Sequence, residues 1–227
     1  MSSKLNPVEK DWDRFWARQE SRRFSEISWS KRRILSVLDE YAKQGKAALD
    51  AGCGSGFFSQ YFCERGMRTV SLDYADSALE MAREKTQGKA RCVKADLLSD
   101  HLPKILDGKF DIIFSDGLLE HFTGHEQDAI LKNFKSVLTV GGVTVTFVPN
   151  RFSPWELIRP LYMPGIEETP FILSDLCDLH QRNGLSVIRT GGVNALPFRW
   201  SPEWAAAQFG MLLYVVAQKS QESPEPS

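Results

Sequence analysis

The sequence predicts an α/β protein built on a doubly wound, mostly parallel sheet of seven strands. Three observations support this prediction. Apolar residues 47–49 lead into a glycine-rich loop at 50–56, two later apolar runs end at Asp73 and Asp96, and strands and helices alternate along the rest of the chain. A strand, a glycine loop and a helix in this order form the nucleotide-binding half of such a sheet, because glycines let the backbone turn sharply and approach a ligand.

The elements before residue 100 follow from local patterns. Apolar residues at helical spacing predict the first two helices, and Ser30 is placed to cap the second. Gly66 stops the helix after the glycine loop, and a capping box at 77–80 opens the next helix. The predicted elements here are helices from 8 to 21 and from Ser30 to Gly45, strand 47–49, helix Phe57–Glu64, strand Arg68–Asp73, a helix from Ser77 and strand 90–95.

The elements after residue 100 complete the sheet. Residues 110–115 are apolar except at their ends, which indicates a central strand. Gly141 and Gly142 are expected to turn the chain before a β-branched strand. Ser201, Pro202 and Gly210 delimit a short helix between the last two strands. The other predicted elements are helix 126–138, strand 143–148, helix 174–182 and strands 185–189 and 211–217.

The spacing of the glycines distinguishes between cofactors. The loop reads D-x-G-x-G-x-G, and Phe57 stands where a dinucleotide-binding loop has its third glycine. With Ser71-Leu72-Asp73-Tyr74 and Lys94-Ala95-Asp96-Leu97, the loop resembles the class I S-adenosylmethionine-dependent methyltransferases. The resemblance is closest to the small-molecule branch, which includes quinone and natural-product methyltransferases. It implies a Rossmann-like methyltransferase fold, S-adenosylmethionine as cofactor and a methyltransferase activity.

The resemblance also implies a set of cofactor-binding residues. Asp50 and the glycines would surround the methionine part, Asp73 would hold the ribose, and Asp96 and Leu97 the adenine. An ionised aspartate only accepts hydrogen bonds, so it suits hydroxyl and amine donors. The predicted cofactor-binding residues are Asp50, Gly52, Cys53, Gly54, Gly56, Asp73, Tyr74, Asp96, Leu97 and Ser115.

A Glu-His pair follows the fourth predicted strand, opposite the glycine loop. Many small-molecule relatives have a similar pair, and the resemblance implies that His121 and Glu120 are catalytic. Histidine suits a base because its ordinary pKa lies near neutrality. His121 could instead bond a backbone group, and Glu120 could support a neighbouring element. His101, His125 and His180 are expected in polar loops or helices and receive no role.

The chain is expected to form one domain over residues 1–220, with a tail at 221–227 rich in Ser, Pro and Glu. Residues 1–30 would form a cap helix carrying Trp12 and Trp16. The connection at 149–170 is long and apolar, with Trp155 and Tyr162 among its residues, and is interpreted as a lid over an apolar or aromatic-bearing small-molecule acceptor. A cover for the sheet edge or a subunit contact is the alternative.

Charge and cysteine content exclude other classes. The net charge is −1, and residues 1–33 carry nine Lys or Arg against five Asp or Glu, too mild a field to indicate a nucleic-acid substrate. The four cysteines lack metal-ligand spacing, so no metal site is predicted, and they indicate a reduced, cytoplasmic protein. No apolar run is long enough for a transmembrane helix.

Two alternatives to a methyltransferase remain open on the sequence. A cofactor-binding scaffold, such as the non-catalytic partner in a methyltransferase complex, would keep the fold without the reaction. A nicotinamide-dependent dehydrogenase would share the sheet, but the glycine spacing argues against it.

Overall fold

The computed structural model describes residues 7–157, 168–195 and 203–220. These residues form one seven-stranded sheet in the order β3-β2-β1-β4-β5-β7-β6. All neighbouring strands pair in parallel except β7, which is antiparallel to both β5 and β6. Strand order reverses between β1 and β4, and ligands of doubly wound sheets bind at this point. The predicted fold class is confirmed.

The first half of the structure holds the glycine loop. After α1 (Pro7–Ala17) a 3-10 turn (Gln19–Ser25) leads to α2 (Trp29–Leu38). The sheet then begins, and its elements are β1 (Ala47–Ala51), α3 (Phe57–Glu64), β2 (Arg68–Asp73), α4 (Asp76–Lys85) and β3 (Arg91–Lys94).

The second half completes the sheet and both helical layers. Its elements are α5 (Leu102–Leu106), β4 (Phe110–Asp116), a 3-10 turn (Leu119–His121), α6 (Gly124–Val137), β5 (Leu138–Pro149), a 3-10 turn (Pro154–Leu157), α7 (Leu173–Arg182), β6 (Ser186–Val193), α8 (Glu203–Phe209) and β7 (Leu212–Gln218).

The core lies on both faces of the sheet because neighbouring strand residues point in opposite directions. In β4, Ile113 belongs to the core beneath α5, α6 and α7, whereas Ile112 and Phe114 belong to the core beneath α2 and α3. Phe114 packs against Phe58 on α3 with ring centroids 4.5 Å apart. Burial on both faces explains why this strand is almost entirely apolar.

Three predicted details are wrong, and each has a local cause. Ser28, not Ser30, caps α2, because its side chain accepts a hydrogen bond from the Lys31 amide. Ser77 does not cap α4; its hydroxyl donates to Asp13 on α1 at 2.7 Å. Gly141 and Gly142 do not form a turn before β5, because both residues lie within that strand.

The glycines form a bulge in β5. Leu138 pairs with Phe110, and Val143 pairs with Ile112, so four residues of β5 lie opposite one residue of β4. Gly141 has a φ of +77°, which suits the bend. The strand therefore starts earlier than its β-branched residues indicate.

His180 lies in a helix as expected, α7, but its surroundings are buried. It is fully buried beneath the sheet, where it bonds the Leu176 carbonyl and the Thr146 hydroxyl. Ser201 and Pro202, the predicted start of the last short helix, and the tail at 221–227 lie outside the described residues.

Candidate active site

The glycine loop connects β1 to α3 through closely packed backbone. Gly54 has a φ of +47°, and a Cβ there would lie 2.5 Å from the Trp16 indole. A Cβ at Gly56 would overlap the backbone of Ala82 on α4. Larger residues at these two positions would displace α1 or α4, so the glycines bring both helices against the loop.

Asp73, at the end of β2, binds this loop. Its carboxylate accepts hydrogen bonds from the amides of Gly54 (2.9 Å), Tyr74 (2.8 Å) and Ala75 (3.0 Å). Burial raises the pKa of Asp73, and the three amide bonds oppose that rise. An ionised carboxylate has about four acceptor positions. Three are occupied within the protein, so in this conformation about one remains for a ligand.

Asp50 lies deeper than Asp73. It is 2% exposed and accepts a 2.6 Å hydrogen bond from Ser59 on α3, which in turn accepts from Ser71 on β2. Burial raises the pKa of Asp50 to about 7, against the opposing bond from Ser59. These contacts join the start of α3 to β1 and β2, and they keep the glycine loop in place.

A cavity of about 260 Å³ opens beside the glycine loop at the switch point of the sheet. Its walls come from α1 and from the carboxyl ends of β1 to β4, and its lining residues are Trp12, Trp16, Gly52, Leu72, Asp73, Tyr74, Ala95, Asp96, Leu97, Leu98, Asp116, Gly117, Leu118, His121, Phe122 and Glu126. The predicted residues Gly52, Asp73, Tyr74, Asp96, Leu97 and His121 are thus brought together.

Other predicted residues lie outside this lining. Asp50, Cys53, Gly54 and Gly56 are in or below the glycine loop, Ser115 is buried within β4, and Glu120 is buried behind His121. Their roles toward the cofactor or the acceptor stay predictions.

The cavity has two acceptor groups separated by an apolar wall. Asp73 and Asp96 both line it, and Leu72, Ala95 and Leu97 lie among the same lining residues. Asp96 is exposed and accepts a 2.9 Å hydrogen bond from the Leu98 amide. Carboxylates suit the hydroxyls of a ribose and the amine of an adenine, and apolar side chains suit the faces of the ring. The residues present therefore fit an adenosine-containing cofactor.

The opposite wall follows β4. Leu118 lies against the glycine loop, since a Cβ at Gly52 would be 3.0 Å from its Cδ1. His121 meets the Trp12 indole edge to face, with ring centroids 4.8 Å apart. Burial raises the pKa of Asp116 to about 6, and the nearby Lys31 ammonium partly opposes this rise. This wall combines apolar surface with a few titratable groups.

Two charged residues near the site were not predicted from the sequence. Lys31 donates to the carbonyls of Phe24 and Glu26 and lies 4.2 Å from the centroid of the Phe57 ring. Burial lowers its pKa to about 8. Glu168 lies close to Glu120 and His121. Neither residue belongs to a recognisable sequence motif, and the tertiary fold alone brings them near the site.

The N-terminal segment covers the cavity. Trp12 and Trp16 line it, and Asp13 fixes α1 to α4 by accepting from both the amide and the hydroxyl of Ser77. Ser55 of the glycine loop donates to the Phe24 carbonyl at 2.7 Å. The cover therefore touches the loop as well as the cavity.

The predicted lid at 149–170 is described only in part. Phe152 is 61% exposed and Leu157 85% exposed, whereas Trp155 is half-buried and is absent from the cavity lining. Tyr162 and its neighbours at 158–167 lie outside the described residues. The lid stays a prediction.

Comparisons with known proteins agree with this geometry. The model of the family described as "Methyltransferase domain" matches residues 49–146. A malonyl-[acyl-carrier protein] O-methyltransferase of Hamiltonella defensa is 31% identical over 72% of this chain and 69% of its own length. A ubiquinone biosynthesis O-methyltransferase of Idiomarina loihiensis is 32% identical over 43% of this chain. That match covers only 40% of the relative's own length.

A solved structure shows the same fold at lower identity. The magnesium protoporphyrin IX methyltransferase of Synechocystis PCC 6803, with bound SAH, superposes with a TM-score of 0.61 at 19% identity. The match covers 97% of this chain and 90% of that one.

Fold, cavity and sequence similarity together define the class as a cofactor-dependent transferase with a doubly wound sheet. The chain belongs to the class I S-adenosylmethionine-dependent methyltransferases, in the small-molecule branch, and S-adenosylmethionine is its cofactor. This membership favours a methyltransferase over both a dehydrogenase and a scaffold without activity.

Proposed function

We propose that this enzyme methylates a small acceptor with an apolar or aromatic part, bound between α1 and the loop after β4. The observation that carries the proposal is the composition of that wall. Trp12, Leu118 and Phe122 supply apolar and aromatic surface, and His121 lies beside Trp12. Apolar walls with few polar groups are typical of small-molecule sites. Both curated relatives named above are O-methyltransferases, which favours an oxygen atom as acceptor.

One wall of the cavity would bind the cofactor, and the opposite wall, which follows β4, would bind the acceptor. Asp73 and Asp96 hold the adenosine part of the cofactor, which, when bound, supplies a methyl group on a sulfonium. The opposite wall aligns the acceptor for in-line attack, and α1 excludes water. Alignment in a closed site supplies much of the acceleration that such a displacement needs.

His121 is proposed to act on the acceptor atom. If that atom is a hydroxyl oxygen, it must lose its proton, and an imidazole beside it can take that proton as a base. Glu120 is proposed to support His121 from the buried side of the same 3-10 turn. Asp50, Cys53, Gly54, Gly56, Tyr74, Leu97 and Ser115 are proposed to shape or contact the cofactor site.

The domain organisation and cellular context are also proposals. Residues 1–220 are proposed to act as one domain that takes a small-molecule substrate and no nucleic acid. Among the described residues, no helix has the length and apolar character needed to cross a bilayer. All four cysteines are free thiols, which supports a cytoplasmic location.

Transfer of a labelled methyl group to a panel of acceptors tests the proposal. The panel contains phenols, hydroxyquinones, acyl carboxylates and amines of similar size. We expect turnover with an apolar or aromatic oxygen acceptor. Phe122→Ala should raise the KM of that acceptor about tenfold or more through lost apolar contact, whereas Phe209→Ala, which changes an exposed aromatic residue on α8 outside the cavity lining, should leave it unchanged. Transfer only to short polar acceptors, or only to nucleic acid, would contradict the proposal.

A further inference from the structure

Three potential ligand groups converge behind the acceptor wall. Glu120 and His121 belong to the 3-10 turn after β4, and Glu168 lies where the connection after β5 returns to the sheet. The amide of Thr169 donates a 2.9 Å hydrogen bond to the Glu120 carbonyl, which ties the two segments together. One ligand atom from each of the three side chains lies within 4.8 Å of the other two.

Glu120 is unusual within this group. Its side chain is 3% exposed, and its Oε2 atom has no hydrogen-bond partner among the described residues. The carboxylates of Glu168 and Asp116 lie near enough to Glu120 to repel its negative charge. A buried carboxylate beside other carboxylates is costly unless a proton or a cation compensates the charge.

We propose that Glu120, His121 and Glu168 bind one divalent metal ion next to the acceptor. Ligand atoms about 2.0 to 2.4 Å from a common ion lie at most about 4.8 Å from each other, which agrees with the observed cluster. Two carboxylate oxygens and one imidazole nitrogen suit Mn²⁺ or Zn²⁺. The unpartnered Oε2 atom of the buried Glu120 points to a bound ligand independently of the cluster geometry.

This inference rests on the proposed acceptor class, and it replaces the base role of His121 and the supporting role of Glu120 with roles as metal ligands. His121 lines the cavity, whereas Glu120 and Glu168 do not, so an ion bound by all three would lie at the edge of the acceptor wall, between the cavity and the buried side chain of Glu120. Such an ion lowers the pKa of a hydroxyl that it contacts. With an ion bound, the O–H proton would leave to solvent before α1 closes the site, and the oxygen would keep the electron pair with which it attacks the methyl group. His121 acts as a ligand in place of a base.

No metal site is predicted from the sequence because its residues lack the short spacings that are typical of metal ligands. Glu120 and His121 are adjacent, but Glu168 lies on the far side of β5 and of a long connection. The return of that connection to the 3-10 turn, rather than any spacing, completes the cluster.

Titration of the metal-free full-length chain tests the site. Chelator-treated protein with S-adenosylhomocysteine is titrated with MnCl₂ and ZnCl₂, followed by calorimetry and by the electron paramagnetic resonance of Mn²⁺. We expect one ion per chain, and Glu168→Gln should weaken its binding about tenfold or more. Glu64→Gln, which makes the same change on the exposed face of α3, should bind as the wild type does.

The outcomes separate this inference from the proposed function. Saturable binding lost in Glu168→Gln supports the site even if the acceptor panel gives no turnover. Absence of binding at millimolar metal, or equal binding by wild type and Glu168→Gln, overturns it. Full turnover in excess chelator, with loss of turnover in His121→Ala, also overturns it and leaves the base role in place. Because Glu120→Gln alters a buried side chain, circular dichroism and cofactor affinity check its fold before its metal affinity is compared.

Discussion

Asp73 illustrates how one residue serves both the fold and the ligand. Its carboxylate accepts three backbone amides and still lines the cavity. The sequence predicts that Asp73 holds the ribose, and the occupied acceptor positions leave room for about one strong hydrogen bond to it. Substitution should therefore affect the glycine loop as well as cofactor affinity.

Asp73→Asn should weaken the binding of S-adenosylhomocysteine by about 1.5 to 3 kcal/mol, because a charge-assisted hydrogen bond is lost and one backbone amide faces a poorer acceptor. Titration calorimetry measures this change. Asp76→Asn is the matched control, since Asp76 is exposed, pairs with Lys94 and does not line the cavity. Equal affinity of Asp73→Asn and the wild type would show that the cofactor does not depend on this carboxylate.

His121→Ala should lower turnover of a hydroxyl acceptor by about two to four orders of magnitude, whether the imidazole acts as base or as metal ligand. Cofactor affinity should change little, because Asp73 and Asp96 lie on the other wall. Single-turnover kinetics and calorimetry separate the two effects. His125→Ala serves as control, since His125 is exposed and absent from the lining. Turnover within a few-fold of wild type would show that alignment alone suffices.

At the scale of elements, the buried polar contact between α7 and the sheet makes stability depend on pH. Burial lowers the pKa of His180 to about 4 from an ordinary value of 6.5, against the opposing bond to the Leu176 carbonyl. Between pH 6.5 and pH 4, His180 binds a proton in the unfolded chain but stays neutral in the folded protein. His180 therefore destabilises the fold as pH falls from 6.5 toward 4, whereas above pH 6.5 its effect vanishes.

His180→Gln should reduce this acid sensitivity. The free energy of unfolding of the wild type should drop from pH 7 to pH 5 by about 1 to 2 kcal/mol more than that of the variant, since one unit of pKa corresponds to about 1.4 kcal/mol. Urea unfolding at the two pH values measures the difference. His101→Gln changes an exposed histidine and is the control. Parallel pH dependence of wild type and His180→Gln would contradict the assigned cause.

Local patterns predicted most elements but not their partners. The bounds of α3 and β2 agree with the prediction because glycines and aspartates mark both ends. Ser77 begins the pattern of a capping box, yet its hydroxyl donates a hydrogen bond to Asp13, because α1 packs against the start of α4. Glu168 and Lys31 were missed for the same reason, since only tertiary packing places them near the site. A single sequence contains the local signals and leaves such long-range contacts unspecified.

At the scale of the whole molecule, the cavity is covered by α1, which together with the 3-10 turn after it precedes the sheet in sequence. Asp13 joins α1 to α4, and Trp16 of α1 packs against the glycine loop. The Phe24 carbonyl of the 3-10 turn after α1 accepts a hydrogen bond from Ser55 of the same loop. The connection after β5, which the sequence predicts to be a lid, would form a second cover. Since both segments carry aromatic residues and lie outside the cofactor motifs, they are expected to open and close together.

Limited proteolysis tests this coupled closure. With S-adenosylhomocysteine and acceptor bound, residues 1–30 and 149–170 should become protected together, because ordering of a gate follows binding. Trp155→Ala should raise the KM of the acceptor about tenfold while the KM of the cofactor stays nearly constant, and Phe209→Ala, an exposed aromatic on α8, should change neither. Protection that appears only at concentrations where the chain dimerises would assign 149–170 to a subunit contact. Equal effects of Trp155→Ala on both substrates would assign it to covering the sheet, because a lid over the acceptor alone has no reason to weaken the cofactor.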